Sequence, residues 1–338
     1  MIEKKSPLLL EPFVADYLWG GSKLIKEWGK DPLKTKIAET WELSAYPNKE
    51  SIVCSGPLSG KSISSLIKSH PAIFGSKIKD YLEFPLLIKM IDAEQNLSIQ
   101  VHPSDYYATK YEGQLGKSEI WYIAEAYEGA AIYLGFNKKV SKEEIVERIN
   151  NYTLLEVLNK VPVKKGDVIV VKPGTVHALL RGLVVIEIQE NSNLTYRLYD
   201  YGRRDSSGKE RELHIDKALD VINTKKFDNS KINSSVILQK DSYDSVRLLD
   251  ENEYFYAIEI NMKQTMKIHC KNSFISLTLV EGEGEFSSGE RINKGNTFLL
   301  SADTEYSIIN TGNELNFKAI AVTLGKNMEE KIDVLFGN

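Results

Sequence analysis

Between Leu97 and Trp121 the chain reads LSIQVHPSDYYATKYEGQLGKSEIW. Polar groups recur here at every second position. Ser98, Gln100 and His102 alternate with apolar Ile99 and Val101, and Lys117 and Glu119 alternate in the same way just ahead of Ile120-Trp121-Tyr122-Ile123. Successive side chains of a β-strand point to opposite faces, so each polar set lies on one face with apolar residues behind it. A helix would scatter these residues around its axis. The spacing therefore predicts sheets that turn a polar face toward a shared interior.

A second segment, GDVIVVKPGTVHAL from Gly166 to Leu179, adds His177. Gln100, His102, Glu119 and His177 together offer one amide, two imidazoles and one carboxylate. Zinc accepts such a set, and Fe(II) or Mn(II) would also be suited. Strand geometry puts Gln100 and His102 about 6–7 Å apart at the Cα level, close enough to converge on one ion. Glu119 and His177 must then arrive from neighbouring strands.

The rest of the chain supports a mainly β fold. ETWELSAYPNKESIV alternates as a half-buried strand, and FPLLIKMIDA (84–93) is an apolar strand leading to the Ser98–His102 segment. EIWYIAEAYEGAAIYLGF (119–136) predicts two strands joined by a turn at Glu128-Gly129. The Tyr-rich stretch from His102 to Lys117 reads as a loop. Helical segments are expected near 62–80 and over 138–160, where Ser141 and Glu144 form a capping box, with a short helix over 214–222 that His214 caps or flanks. His70 is expected at the surface or in packing. On the strand LVVIEIQE, Glu187 and Gln189 share a face.

Beyond about residue 240 come short strands separated by turns. Gly295-Asn296 followed by TFLLSADTEY mirrors Gly166-Asp167 followed by VIVVKPGTVH, and each runs eleven residues from glycine to a final ring, Tyr306 or His177. Phe274 or Asn272 falls at the Glu119 position. A second β unit of similar plan, lacking metal ligands, is expected over 241–338, after a catalytic unit over 1–240. His269 is the only histidine in that second unit.

Several classes are excluded by composition. The net charge of -4 favours neither nucleic acid nor an anionic membrane. Two cysteines, Cys54 and Cys270, cannot make a disulfide scaffold or a four-cysteine zinc site. No apolar run reaches the roughly 18 residues of a membrane helix. A cytoplasmic location is expected. No strongly apolar surface element stands out, which favours a monomer or weak homodimer.

The interval from Gly166 to His177 is similar to the second motif of cupin barrels. Cupins usually carry Pro-x-Gly there, whereas this chain has Lys172 at the proline position and Pro173 directly before Gly174. More specifically, LSIQVHPSD, GKSEIWY, GTVHAL and QENSNLTYRLYDYGR resemble the type I mannose-6-phosphate isomerases in their shorter bacterial form. The likeness starts at WGG near residue 20 and passes through ETWELS to about residue 215. It implies two cupin-like, jelly-roll β-barrels with a small helical insertion. It also implies one zinc held by Gln100, His102, Glu119 and His177. Arg197 and Glu187 would be catalytic, and Ser98, Lys117 and Arg203 would bind a substrate phosphate. The implied activity interconverts mannose 6-phosphate and fructose 6-phosphate through a cis-enediol. Alternatives are a non-catalytic cupin that senses a sugar phosphate, an Fe(II) cupin oxygenase, and an isomerase of the same class with another preferred sugar.

Overall fold

The computed structural model describes residues 6–204, 208–232, 235–241, 243–312, 316–325 and 331–337. The fold is mainly β, built from four open sheets with antiparallel ladders throughout. A six-stranded sheet runs in the order Val168–Val171, Glu119–Ala126, Leu183–Glu190, Leu86–Ala93, Glu39–Ser44 and Phe13–Ala15. A five-stranded sheet faces it, in the order Tyr196–Tyr199, Ile99–Val101, His177–Leu179, Ala131–Phe136 and Leu158–Pro162.

The six-stranded sheet is a middle layer. Its odd-numbered side chains, among them Trp121, Ile123, Ile169 and Val185, pack with Ile132, Leu134 and Leu179 of the five-stranded sheet. Its even-numbered ones, Met90, Ile120, Tyr122 and Ile186, pack with Leu299, Ile320, Val322 and Phe255 from the C-terminal half. This double burial corrects one expectation. Glu39–Ser44 is not half-buried, because all six residues are covered. The sequence alternation remains, but the polar face looks into a closed interior and not into solvent.

Two further sheets make up the C-terminal half. An eight-stranded sheet includes Ser245–Glu251, Phe255–Met262, Phe317–Leu324, Ile275–Glu281 and Thr297–Leu300. The N-terminal strand Leu8–Glu11 pairs onto it, Leu8 opposite Leu299, and Val236–Lys240 forms its other side. A five-stranded sheet containing Tyr306–Asn310 covers it. The space between them is filled by Phe286, Phe298 and Tyr306, whose rings meet edge to face. Phe274 packs on Phe74 and Phe84 at the junction of the two halves. Aromatic pairs of this kind add about 0.5–1.5 kcal/mol each beyond their buried area.

Helices follow the expected positions with two exceptions, the first being that the segment expected to be helical over 138–160 ends as the strand Leu158–Pro162. Ser141 accepts from the Glu144 N–H at the start of Lys142–Asn150, and Ile63–Ser69 lies in the first expected helical segment. The Tyr-rich stretch is not a plain loop: Asp105–Tyr111 is helical, with Ser104 at its N-cap position and Asp105 in its first turn. Gly116 closes the segment by passing so near Ser104 and Asp105 that an added Cβ would lie 2.4 Å from the Asp105 nitrogen. Among the described residues, no helix is long and apolar enough to cross a membrane.

Candidate active site

Backbone register assembles the site. His177 stands opposite Gln100, and Arg197 stands opposite Gln100 from the other side. These three side chains therefore share one row and one face of the five-stranded sheet. On the middle sheet, Glu119 is opposite Gln189, while Glu187 is opposite both Trp121 and Lys89. The two polar faces look at each other.

His102, Glu119 and His177 bring ligand atoms within 4.8 Å of one another, and all three are buried. His102 Nε2 lies 3.7 Å and His177 Nε2 lies 3.5 Å from Glu119 Oε1. Each imidazole is oriented from behind: His102 Nδ1 is 2.9 Å from the Leu194 carbonyl and His177 Nδ1 is 2.8 Å from that of Thr175. A carbonyl only accepts, so both Nδ1 atoms carry the proton and both Nε2 lone pairs point inward. Burial, reinforced by the Lys117 charge, pushes His102 well below the usual imidazole range. Burial also lowers His177, to about 4. Both rings are therefore neutral and ready to bind a cation.

Gln100 Nε2 lies 3.2 Å from His177 Nε2. Turning the carboxamide over presents its oxygen at the same place. His102 Nε2 and Glu119 Oε1 are buried with no hydrogen-bond partner. Buried polar atoms left unpaired are costly, and a divalent cation between them satisfies both at once. The residues present fit a metal. Gly174, three positions before His177, adopts φ +81 and donates its N–H to the His102 carbonyl at 2.9 Å. The altered Lys172-Pro173-Gly174 turn thus still joins the two histidine segments.

Beside the metal triad lies an ion network. Lys117 Nζ is 2.6 Å from Glu119 and 3.3 Å from Glu187, and Lys89 Nζ is 3.5 Å from Glu187 and 3.7 Å from Glu39. The Trp121 indole donates to Glu187 at 2.9 Å. Burial alone would raise Glu187, but Lys117 and Lys89 outweigh it and hold this carboxyl down at about 2. Glu119 moves the other way, raised by burial and by the Glu187 charge. Burial disfavours the Lys117 ammonium, yet Glu119 and Glu187 keep it charged. Two ammoniums against Glu39, Glu119 and Glu187 leave one net negative charge for a cation to meet.

A cavity of about 240 Å³ opens onto this network. Ser98, Gln100, Lys117, Glu187 and Arg197 all line it, as the sequence spacing predicts for the first three. It also contains Lys89, Glu39, Asn193, Thr195 and Arg211, which the sequence did not single out. Arg203 sits elsewhere: its guanidinium donates to the Asn96 carbonyl at 2.6 Å, pairs with Asp200, and lies over the Tyr201 ring. Arg211 shares Asp200 with it, donating through Nε at 2.7 Å. Gln189 turns away, toward the Glu190 and Ser192 carbonyls. His214 does stand at the N-cap position of Ile215–Val221, but its ring does not cap. Instead, its Nδ1 accepts from the Arg197 backbone N–H at 3.1 Å and braces that strand.

Residues 8–133 match the family model for the phosphomannose isomerase type I catalytic domain. The mannose-6-phosphate isomerase ManA of Bacillus subtilis is 37% identical over 300 residues, spanning 87% of this chain and 92% of that protein. The chain belongs to the type I mannose-6-phosphate isomerase family. The mannose-6-phosphate isomerase of Streptococcus mutans is 35% identical over 283 residues, 84% of this chain and 87% of that protein. A solved structure of mannose 6-phosphate isomerase from Bacillus subtilis superposes with TM-score 0.84 at 32% identity, covering 94% of this chain and 99% of that one. A Salmonella typhimurium mannose 6-phosphate isomerase shares the fold alone, with TM-score 0.72 at 17% identity over 95% of this chain and 99% of that one.

Proposed function

We propose that the protein is a zinc-dependent aldose–ketose isomerase that interconverts mannose 6-phosphate and fructose 6-phosphate through a cis-enediol. The observation that carries this is that the His102, Glu119 and His177 triad adjoins, through Gln100 and Lys117, a cavity lined by Gln100, Lys117, Glu187 and Arg197. A sensor of sugar phosphate would need the cationic rim but not an inward-facing ligand triad joined to a charged carboxylate. The proposed architecture is two cupin-like halves, a catalytic one over 1–240 and a C-terminal one over 241–338, acting as a monomer or weak homodimer in the cytoplasm.

In this reading Gln100, His102, Glu119 and His177 hold the zinc. Bound there, zinc supplies Lewis-acid stabilisation of charge on the sugar C1 and C2 oxygens. Glu187 takes the C2 proton and returns it to C1. It is ionised and lines the cavity, and the proton exchanged between O2 and O1 keeps the overall reaction balanced. Its basicity is low because Lys89, Lys117 and Trp121 all stabilise its charge, so the sugar C–H must be acidified for transfer to occur. Arg197 contributes to that acidification as a fixed cation available to the developing oxyanion. Ser98 and Arg211 hold the phosphate in this reading, in place of the expected Lys117, which Glu119 and Glu187 engage, and of Arg203, which does not line the cavity.

The test is turnover of mannose 6-phosphate to fructose 6-phosphate by the purified protein as isolated, after chelation, and after zinc is restored. Activity lost on chelation and recovered with zinc is expected. Absence of turnover in a protein that binds both zinc and mannose 6-phosphate would favour the sensor. Turnover of a different phosphosugar only would keep the chemistry and change the substrate.

A further inference from the structure

Glu190 ends the strand that carries Glu187, and it is 1% exposed. Its Oε1 accepts from the Ser118 N–H at 2.6 Å, and its own N–H returns a bond to the Ser118 carbonyl at 3.1 Å. Ser118 separates Lys117 from Glu119. The other Glu190 oxygen has no donor among the described residues. The carboxyl of Asp105 accepts from Gly116 N–H, two residues before Ser118, so the two carboxyls are neighbours along one extended segment. Asp105 in turn accepts twice: Gly116 N–H donates to Oδ1 at 2.7 Å, and the Tyr254 hydroxyl donates to Oδ2.

Two acceptors facing each other without a donor are repulsive when both are ionised. A proton on one of them removes that repulsion and turns one acceptor into a donor. A metal would need a third ligand atom close by, and among the described residues the only such group is His102, Glu119 and His177. The groups that face Glu190 agree with a proton there. Burial, then Asp105, and more distantly the charge of Glu253, push it up to about 9, against the Ser118 N–H, which lowers it. A cavity of about 440 Å³ lined by Asp105, Glu253 and Tyr254 gives this proton a route to solvent.

We propose that Glu190 and Asp105 share a proton and form a latch that positions Lys117 and Glu119 against Glu187. The pair ties three elements together. Asp105 begins the Asp105–Tyr111 helix, Glu190 ends the Glu187 strand, and Tyr254 belongs to the C-terminal half. Loss of the proton sets two carboxylates against each other and pushes the 105–118 segment away from its strand. Both residues are positioning residues, acting through Ser118 and Gly116 and not through the sugar.

The test compares wild type with Glu190→Gln, whose amide donates to Asp105 and accepts from Ser118 at every pH. The first readout is melting temperature from pH 6 to 10 and needs no substrate. Glu190 is raised in the folded state, so its stabilisation is present at lower pH and is lost as pH rises through about 9. Wild type is expected to lose melting temperature along that range more steeply than Glu190→Gln. The second readout, kcat/KM for mannose 6-phosphate, rests on the isomerase reading. Wild type is expected to lose about tenfold per pH unit above the transition, whereas Glu190→Gln matches it at pH 7.5 and keeps its activity at pH 10. An infrared band of a buried protonated carboxyl that is present in wild type at pH 7.5, vanishes above about 9 and is missing from the Glu190→Gln spectrum is expected. Identical pH dependence of melting in the two proteins, a Glu190→Gln protein that fails to fold at pH 7.5, or no such band, would each overturn the latch. Absent turnover with the expected melting behaviour would instead strike the isomerase reading alone.

Discussion

Gln100 and His177 stand directly opposite each other on adjacent antiparallel strands, with their Nε2 atoms 3.2 Å apart. Nothing in the backbone ladder requires a polar pair at this position, and both flanking residues of each strand are apolar and buried. In front of the pair lie the buried His102 imidazole and the buried Glu119 carboxylate, each with an unengaged lone pair. His177→Ala is expected to lower zinc affinity by more than the roughly 10–100-fold typical of losing an outer partner. Gln100→Leu should cost less, because an amide oxygen is the weakest of the four donors. Zinc retained after equilibration with a competing chelator measures both, and equal retention in wild type and His177→Ala would remove His177 from the ligand set.

Glu187→Gln is expected to keep zinc and lose turnover, by about 10²–10⁴-fold for removal of a general base. The decisive readout is exchange of the substrate C2 hydrogen with deuterium from solvent. Exchange that persists at the wild-type rate would move the proton transfer to another group. The substitution also removes a charge from Lys89 and Lys117, so a modest change in melting temperature is expected alongside.

Much of this site was legible in the sequence, for a physical reason. The period of two fixes which strand residues share a face, so Ser98 with Gln100, and Lys117 with Glu119, follow from spacing alone. Lys89 and Glu39 were hidden by the same rule. Each lies in a strand buried on both faces, where a single charge among Leu86, Leu87, Ile88 and Met90 reads as an interruption, not as half of an ion pair with a distant strand. Arg211 was hidden because it lies in irregular polar chain, where no periodicity assigns a direction. The Asp105–Tyr111 helix was missed because its tyrosines weakly disfavour helix and its N-cap serine makes no side-chain bond. The pairing of Leu8–Glu11 with Thr297–Leu300 is a long-range contact that local pattern cannot reveal.

Lys117→Met leaves Glu119 and Glu187 facing each other without their shared cation. Lys117 is only 4% exposed, so water cannot replace it. Breaking a buried charge network by removing one partner costs about 3–5 kcal/mol. The loss is expected in full for the metal-free protein. Zinc should recover part of it, since a divalent cation neutralises Glu119. Thermal melts with and without zinc check this, and a metal-free variant as stable as wild type would show that the network adds nothing to stability.

The two arginines on Asp200 should separate by function. Arg211 lines the cavity, while Arg203 is bonded to the Asn96 carbonyl and stacked on Tyr201. Both hold Asp200 below its ordinary value, although burial alone would raise it. Arg197, Arg203 and Arg211 against Asp200 and Glu212 leave the cluster net positive, as a phosphate requires. Both variants should lower affinity through that charge, but only Arg211→Ala should also lose direct donors to the phosphate. A charge-assisted hydrogen bond contributes about 1.5–3 kcal/mol, so Arg211→Ala is expected to raise KM for mannose 6-phosphate roughly 10–100-fold with kcat nearly kept. Arg203→Ala should raise KM less and lower the melting temperature more, because it frees the Asn96 carbonyl and the Tyr201 ring. Inorganic phosphate as a competitive inhibitor isolates the anion site from the sugar, and its inhibition constant should follow KM in Arg211→Ala. The opposite ranking, with Arg203→Ala losing phosphate and Arg211→Ala unaffected, would return the phosphate to Arg203 and require the 200–204 turn to swing toward the cavity when substrate binds.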